Sequence, residues 1–124
     1  MRTILNKQSI LYRTLARALS MKRPHKSVGE TMLIEWLIDN LPINTAYTLD
    51  SVGNLHVDTR KGKTNRTLFI AHVDTVHAAE GANKIRKTYT KWYACGSQLG
   101  ADDGAGVAML MHMLCGGVAG YYVF

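Results

Sequence analysis

Apolar and polar positions follow two rhythms along this chain, one helical and one extended. Ile10, Leu11, Leu15, Ala18 and Leu19 recur at helical spacing while Arg13 and Arg17 fall on another face, which predicts a helix over residues 7–20. Met21 to Lys26 reads as a break, because Arg23 precedes Pro24 and the residue before proline avoids the helical region. Ser27 and Glu30 then form a capping box ahead of Met32, Leu33, Trp36 and Leu37, predicting a second helix that ends near Asn40. Beyond Pro42 the period shortens. Ala46–Leu49 and Leu55–Asp58 read as strands joined by a turn over Asp50–Asn54, and Arg60–Asn65 as a solvated loop. Leu68–Ala71 reads as a buried strand, residues 77–84 as loop, and Lys87–Ala94 as an exposed alternating strand. A third helix is expected from Asp103 or Gly104 to Cys115, with Val107, Leu110, Met111 and Leu114 facing inward. Gly116-Gly117 ends it, and Gly120–Phe124 begins another strand. Alternating strands and helices predict an α/β fold, a layered mixed sheet flanked by helices.

Bulk properties narrow the picture. At 124 residues with 47% apolar content, the chain holds at most one domain with a core of ordinary size. No apolar run reaches the roughly 18 residues of a membrane-spanning helix, so no membrane partner is expected. Cys95 and Cys115 are too few for a disulfide framework, so a reducing, cytoplasmic setting is the default and both thiols are expected to be buried. The net charge is +6, and Arg2, Lys7, Arg13, Arg17, Lys22, Arg23 and Lys26 precede the first acid, Glu30. That basic start reads as a solvated surface over residues 1–26, a loosely attached helix, with an organelle-targeting segment as the alternative. Nucleic acid is not expected as a partner, because the basic residues are scattered and no reading motif accompanies them.

Chemistry concentrates in two clusters. His72-Val73-Asp74 follows directly on the strand Phe69-Ile70-Ala71, where a sheet fixes the backbone. Residues 72 and 74 share a side of an extended chain, so Asp74 can accept the second imidazole N–H and fix the tautomer. Taken alone, this is as readily a strand-end histidine beside a turn aspartate. The second cluster is Gly100-Ala101-Asp102-Asp103-Gly104-Ala105-Gly106, two carboxylates among small residues at a helix start. A carboxylate can bridge two cations in a dinuclear hydrolase. Either Asp can also cap the helix, and one can do each.

Together these segments resemble a known family. Ala71-His72-Val73-Asp74-Thr75-Val76 is similar to the first metal motif of the co-catalytic dinuclear zinc exopeptidases and amidohydrolases, and Gly100–Ala108 to the second. That family includes peptidase T, glutamate carboxypeptidase, aminoacylase and succinyl-diaminopimelate desuccinylase. Asp50-Ser51-Val52-Gly53-Asn54-Leu55 matches its short turn upstream of the histidine strand, and the resemblance runs from about Val28 to Phe124. It implies a zinc-exopeptidase-like α/β fold, incomplete at the C-terminus. It implies His72 as a metal ligand, Asp74 as the catalytic carboxylate behind it, and Asp102 as the ligand bridging two metals. It further implies a cis Asp102–Asp103 peptide and a structural Asp103. The metal implied is Zn2+, two per complete site, with Co2+ or Mn2+ as alternatives. His77 departs from the family's proline and is a candidate for reaching substrate, while His25, His56 and His112 fit no motif.

The resemblance also exposes an absence. The family's general-base glutamate and later ligands follow the next strand, yet the last acidic residue of this chain is Asp103. The expectation is therefore an N-terminal portion of a metallopeptidase catalytic domain over residues 1–124, inactive alone. Its substrate in the complete enzyme would be a peptide or N-acyl amino acid. A complementary chain or a second copy would complete it, and the side carrying Leu110, Leu114 and Tyr122 would be partly wet. The alternative is a non-catalytic remnant that binds a partner through an unpaired edge at Tyr121–Phe124.

Overall fold

The computed structural model describes residues 9–62 and 64–124, so the first two residues of the expected opening helix, with Arg2 and Lys7 of the basic start, lie outside the described residues. Helix α1 (Ile10–Leu19) starts where Ser9 Oγ accepts the Tyr12 N–H at 3.2 Å. Thr14, Ala18 and Leu19 are buried, and α1 packs along α3, so the segment read as loosely attached is held firmly from Ser9 onward. Met21–Lys22 is not merely a break. It forms a short strand, β1, antiparallel to β5 (Gly81–Ala82) within the expected loop; a two-residue pairing has no periodicity to read.

Helix α2 (Val28–Asp39) is capped by Ser27 Oγ, which accepts the Glu30 N–H at 3.2 Å. The reciprocal arm lands one residue early, on the Lys26 N–H. β2 (Thr48–Leu49) and β3 (Leu55–Asp58) enclose a turn in which Gly53 takes φ +92°, a region glycine enters without a Cβ clash. β4 (Leu68–Ile70) leads to the candidate site. The span expected as one strand from Lys87 folds instead as a hairpin of β6 (Ile85–Lys87) and β7 (Trp92–Ala94), because Thr88 and Lys91 close a turn between them. Helix α3 (Ala101–Cys115) precedes β8 (Tyr121–Val123).

The main sheet has strand order β2-β3-β8-β4, antiparallel except for β8 against β4. That parallel pair needs a crossover connection, and α3 lies within it. The mixed α/β fold is the one expected. The core joins Leu33 and Leu37 of α2, Leu55 and Val57 of β3, Val107, Met111 and Leu114 of α3, and Tyr122 of β8. All four inward positions expected on α3 are buried.

Four expectations about burial and edges need correction. Leu110, Leu114 and Tyr122 are dry, covered by the packed helices. β8 is paired on both sides, so Tyr121–Val123 offers no free edge. Among the described residues the sheet's edge strands are β2 and β4, and β4 is not a buried strand: Leu68 and Ile70 are 55% and 65% exposed. Cys115 is exposed and Cys95 half-buried, both as free thiols.

Candidate metal centre

Past Ile70 the chain stays extended and alternates, with Ala71, Val73 and Thr75 buried and His72 and Val76 exposed. The Ala71 N–H continues the parallel ladder onto the Val123 carbonyl at 3.1 Å. His72 and Asp74 therefore share the outer side, as alternation requires. His72 Nδ1 lies 3.2 Å from Asp74 Oδ1 and 3.0 Å from the Asp74 carbonyl.

The second cluster arrives from the start of α3. Gly100 carries φ +80°, and Asp102 and Asp103 have non-helical angles, so regular helix begins at Gly104. The Asp102–Asp103 peptide is cis. The two carboxylates then diverge. Asp103 Oδ1 accepts the Gly106 N–H at 3.2 Å, and any Cβ on Gly106 would overlap that carboxylate. Asp102 points outward, and its Oδ1 stands 2.9 Å from His72 Nε2.

His72 thus sits between two carboxylates. Partial burial opposes its charge, but the Asp102 hydrogen bond and the Asp74 contacts outweigh it and raise the imidazole pKa. The side chains of His72 and Asp102 are 52% and 95% exposed, so a cation can reach both. Two donors on one tetrahedral zinc lie roughly 3.3 Å apart, given bonds of about 2.0–2.2 Å. The observed 2.9 Å is a direct hydrogen bond that a small opening would turn into a shared-ion spacing, and imidazole and carboxylate are the donor types zinc takes. Among the described residues no group of three or more His, Cys, Asp or Glu is arranged to hold a metal. Among the described residues, His72 and Asp102 are two candidate donors brought together where zinc takes four.

His77 does not reach outward. It is buried, with Nδ1 2.6 Å from Thr75 Oγ1 and Nε2 2.8 Å from the Gln98 carbonyl, and it serves the loop before α3. Asn83, unremarked in the sequence, donates to the Gln98 and Leu99 carbonyls at 3.1 and 3.3 Å. The larger omission is Arg23, counted with the solvated basic surface but fully buried. Its backbone N–H donates to Thr75 Oγ1 and its carbonyl accepts the Thr75 N–H at 2.7 Å. Its guanidinium donates to the carbonyls of Ala18, Met21, Val73 and Gly100. Burial pulls its pKa down to about 10, with Asp74 acting in the opposite sense, so it stays charged at neutral pH. No sequence signal beyond its place before Pro24 marks it.

The fold is shared with solved peptidases. An aminoacylhistidine dipeptidase from Vibrio alginolyticus matches at TM-score 0.67 with 17% identity, over 92% of this chain and 26% of its own. A tripeptidase from Staphylococcus aureus matches at 0.67 with 22% identity, over 96% of this chain and 35% of its own. Aminopeptidase PepT from Bacillus cereus matches at 0.66 with 18% identity, over 96% and 35%. The chain spans about a quarter to a third of their lengths. No family model and no curated protein sequence matches it. At these identities the likeness establishes the shared α/β fold, the one expected from the sequence.

Proposed function

We propose that this chain is the metal-binding N-terminal part of the catalytic domain of a metal-dependent peptidase or amidohydrolase. The observation that carries the reading is His72 set between Asp102 Oδ1 at 2.9 Å and Asp74 Oδ1 at 3.2 Å. His72 and Asp102 would hold the metal, zinc first by donor type with Co2+ or Mn2+ as alternatives. Asp74 would accept the far imidazole N–H and so keep Nε2 free as a donor atom. A bound ion of this kind would supply Lewis acidity and an activated water for hydrolysing a peptide or N-acyl amide. Asp103 is spent on the helix and leaves no later carboxylate to take a proton, so the chain by itself would bind metal without turnover. Two free cysteines favour a reducing, cytoplasmic setting. No described helix is long and apolar enough to cross a membrane.

A second reading has its own support. Leu68 and Ile70 on the open edge of β4 suit a non-catalytic module that docks a complementary chain or a second copy of itself. Metal binding separates the two. The first reading expects weak Zn2+ binding that vanishes in His72→Ala; the second expects none.

A further inference from the structure

We propose that Arg23 is a positioning residue for the candidate metal centre. Its single guanidinium ties the backbone beside His72 to the backbone beside Asp102. The functional meaning of this clamp rests on the metal reading above, although the clamp itself is testable without metal.

The geometry is specific to the two arms of the site. Arg23 Nε donates to the Val73 carbonyl at 2.8 Å, the peptide between His72 and Asp74. Arg23 Nη2 donates at 3.1 Å to the Gly100 carbonyl, two residues before Asp102. The third arm, Nη1, donates to the carbonyls of Ala18 and of Met21, 3.2 Å away for the latter. Ala18 lies in the last turn of α1, where the helix dipole favours a cation. One planar fork therefore references both ligand segments to the end of α1, which itself packs along α3.

The neighbours leave room for this fork. A Cβ on Gly104 would stand 3.2 Å from Nη2 and 3.3 Å from Leu19 Cδ2, tighter than ordinary contact. A Cβ on Gly100 would stand 3.7 Å from Nη2 and 3.3 Å from His77 Cε1. Among the described residues no carboxylate comes within ion-pair distance of Arg23, so carbonyl oxygens take its hydrogen bonds and Asp74 favours its charge only from further off. An apolar side chain of similar volume would fill that space without the desolvation cost of a charge. It would leave the Val73 and Gly100 carbonyls unlinked. Among the described residues the two segments, some thirty residues apart in sequence, share no strand pairing; the fork ties their backbones directly, alongside the His77 contact with the Gln98 carbonyl.

The test compares Arg23→Lys, Gly104→Ala and Leu33→Ala with the unaltered chain. Leu33→Ala removes core contacts but none of the fork's hydrogen bonds, and controls for lost stability. Two quantities are read: the nuclear Overhauser cross-peak between the His72 ring and the Asp102 β-protons in metal-free protein, and the Co2+ dissociation constant. Arg23→Lys, folded by circular dichroism, loses the cross-peak, and its Co2+ dissociation constant rises roughly tenfold, the scale of outer-shell losses. Leu33→Ala melts earlier but keeps both. Gly104→Ala adds helix propensity while crowding Nη2, so it folds and weakens the cross-peak; it carries the test if Arg23→Lys does not fold. A folded Arg23→Lys with an intact cross-peak and unchanged Co2+ affinity overturns the proposal, as does an unaltered chain lacking the cross-peak. An unaltered chain with the cross-peak but no Co2+ binding overturns the metal reading, and the cross-peak in the variants still decides the clamp.

Discussion

His72 Nε2 and Asp102 Oδ1 lie 2.9 Å apart although thirty residues separate them in the chain. Neither side chain is driven there by burial, since both are exposed. They meet because extended backbone beyond β4 sends His72 outward while the opening turn of α3 turns Asp102 away from the helix it starts.

Asp74 Oδ1 stands 3.2 Å from His72 Nδ1, where it would orient the imidazole. Asp74→Asn keeps the side-chain shape but removes the charged acceptor at His72 Nδ1. Zn2+ affinity is expected to fall about 10–100-fold, with the thermal midpoint nearly unchanged. Calorimetry on the variant checks this; unchanged affinity would reduce Asp74 to a surface residue.

The turn before β3 carries a pH dependence of its own. The His56 hydrogen bond at 2.9 Å, then the Asn54 and Val52 N–H groups, hold the Asp50 carboxyl well below the usual carboxylate range. A depressed folded-state pKa stabilises the fold above the ordinary carboxylate range. That stability is lost as pH falls through this range toward the folded value. Asp50→Asn is therefore expected to lower the urea midpoint at neutral pH and to flatten its decline on acidification. An equally steep acid decline in the variant would place the sensitive group elsewhere.

Leu37 is fully buried in the core under α2. Leu37→Ala is expected to cost about 2–5 kcal/mol in urea unfolding, from lost transfer energy and the cavity left behind. A loss below that range would mean that this face of α2 collapses onto the gap.

Much of this was legible in the chain. The Ser27–Glu30 box and the inward face of α3 are local patterns, and local patterns survive folding. His72, Asp74 and Asp102 were legible because their residue types and spacing are chemical rather than conformational. Arg23 was not, since composition places arginine in water and only tertiary structure supplies four carbonyls to one guanidinium. The sequence hides the β6–β7 hairpin because alternation runs through Tyr89-Thr90 without a glycine or proline to mark the turn. β4 was read as buried from its apolar residues, but as an edge strand with one uncovered face it leaves Leu68 and Ile70 in solvent.

Purified chain with added Zn2+, Co2+ or Mn2+ is expected to hydrolyse neither dipeptides nor N-acyl amino acids. Absence of a general base typically costs about 10²–10⁴-fold, and a centre with two protein donors loses further polarising power. Metal-dependent turnover abolished by Asp102→Ala would show that a base is supplied from within this chain or by its second copy.

His72 and Asp102 are proposed to share a metal ion. Isothermal titration of the chain with Zn2+ tests it most directly, alongside His72→Ala and Asp102→Asn. The account predicts weak binding, as two protein donors out of four imply, abolished by His72→Ala and reduced by Asp102→Asn. Tight binding that survives His72→Ala would contradict it and move the ion elsewhere, with the Cys95 and Cys115 thiols as the first places to look.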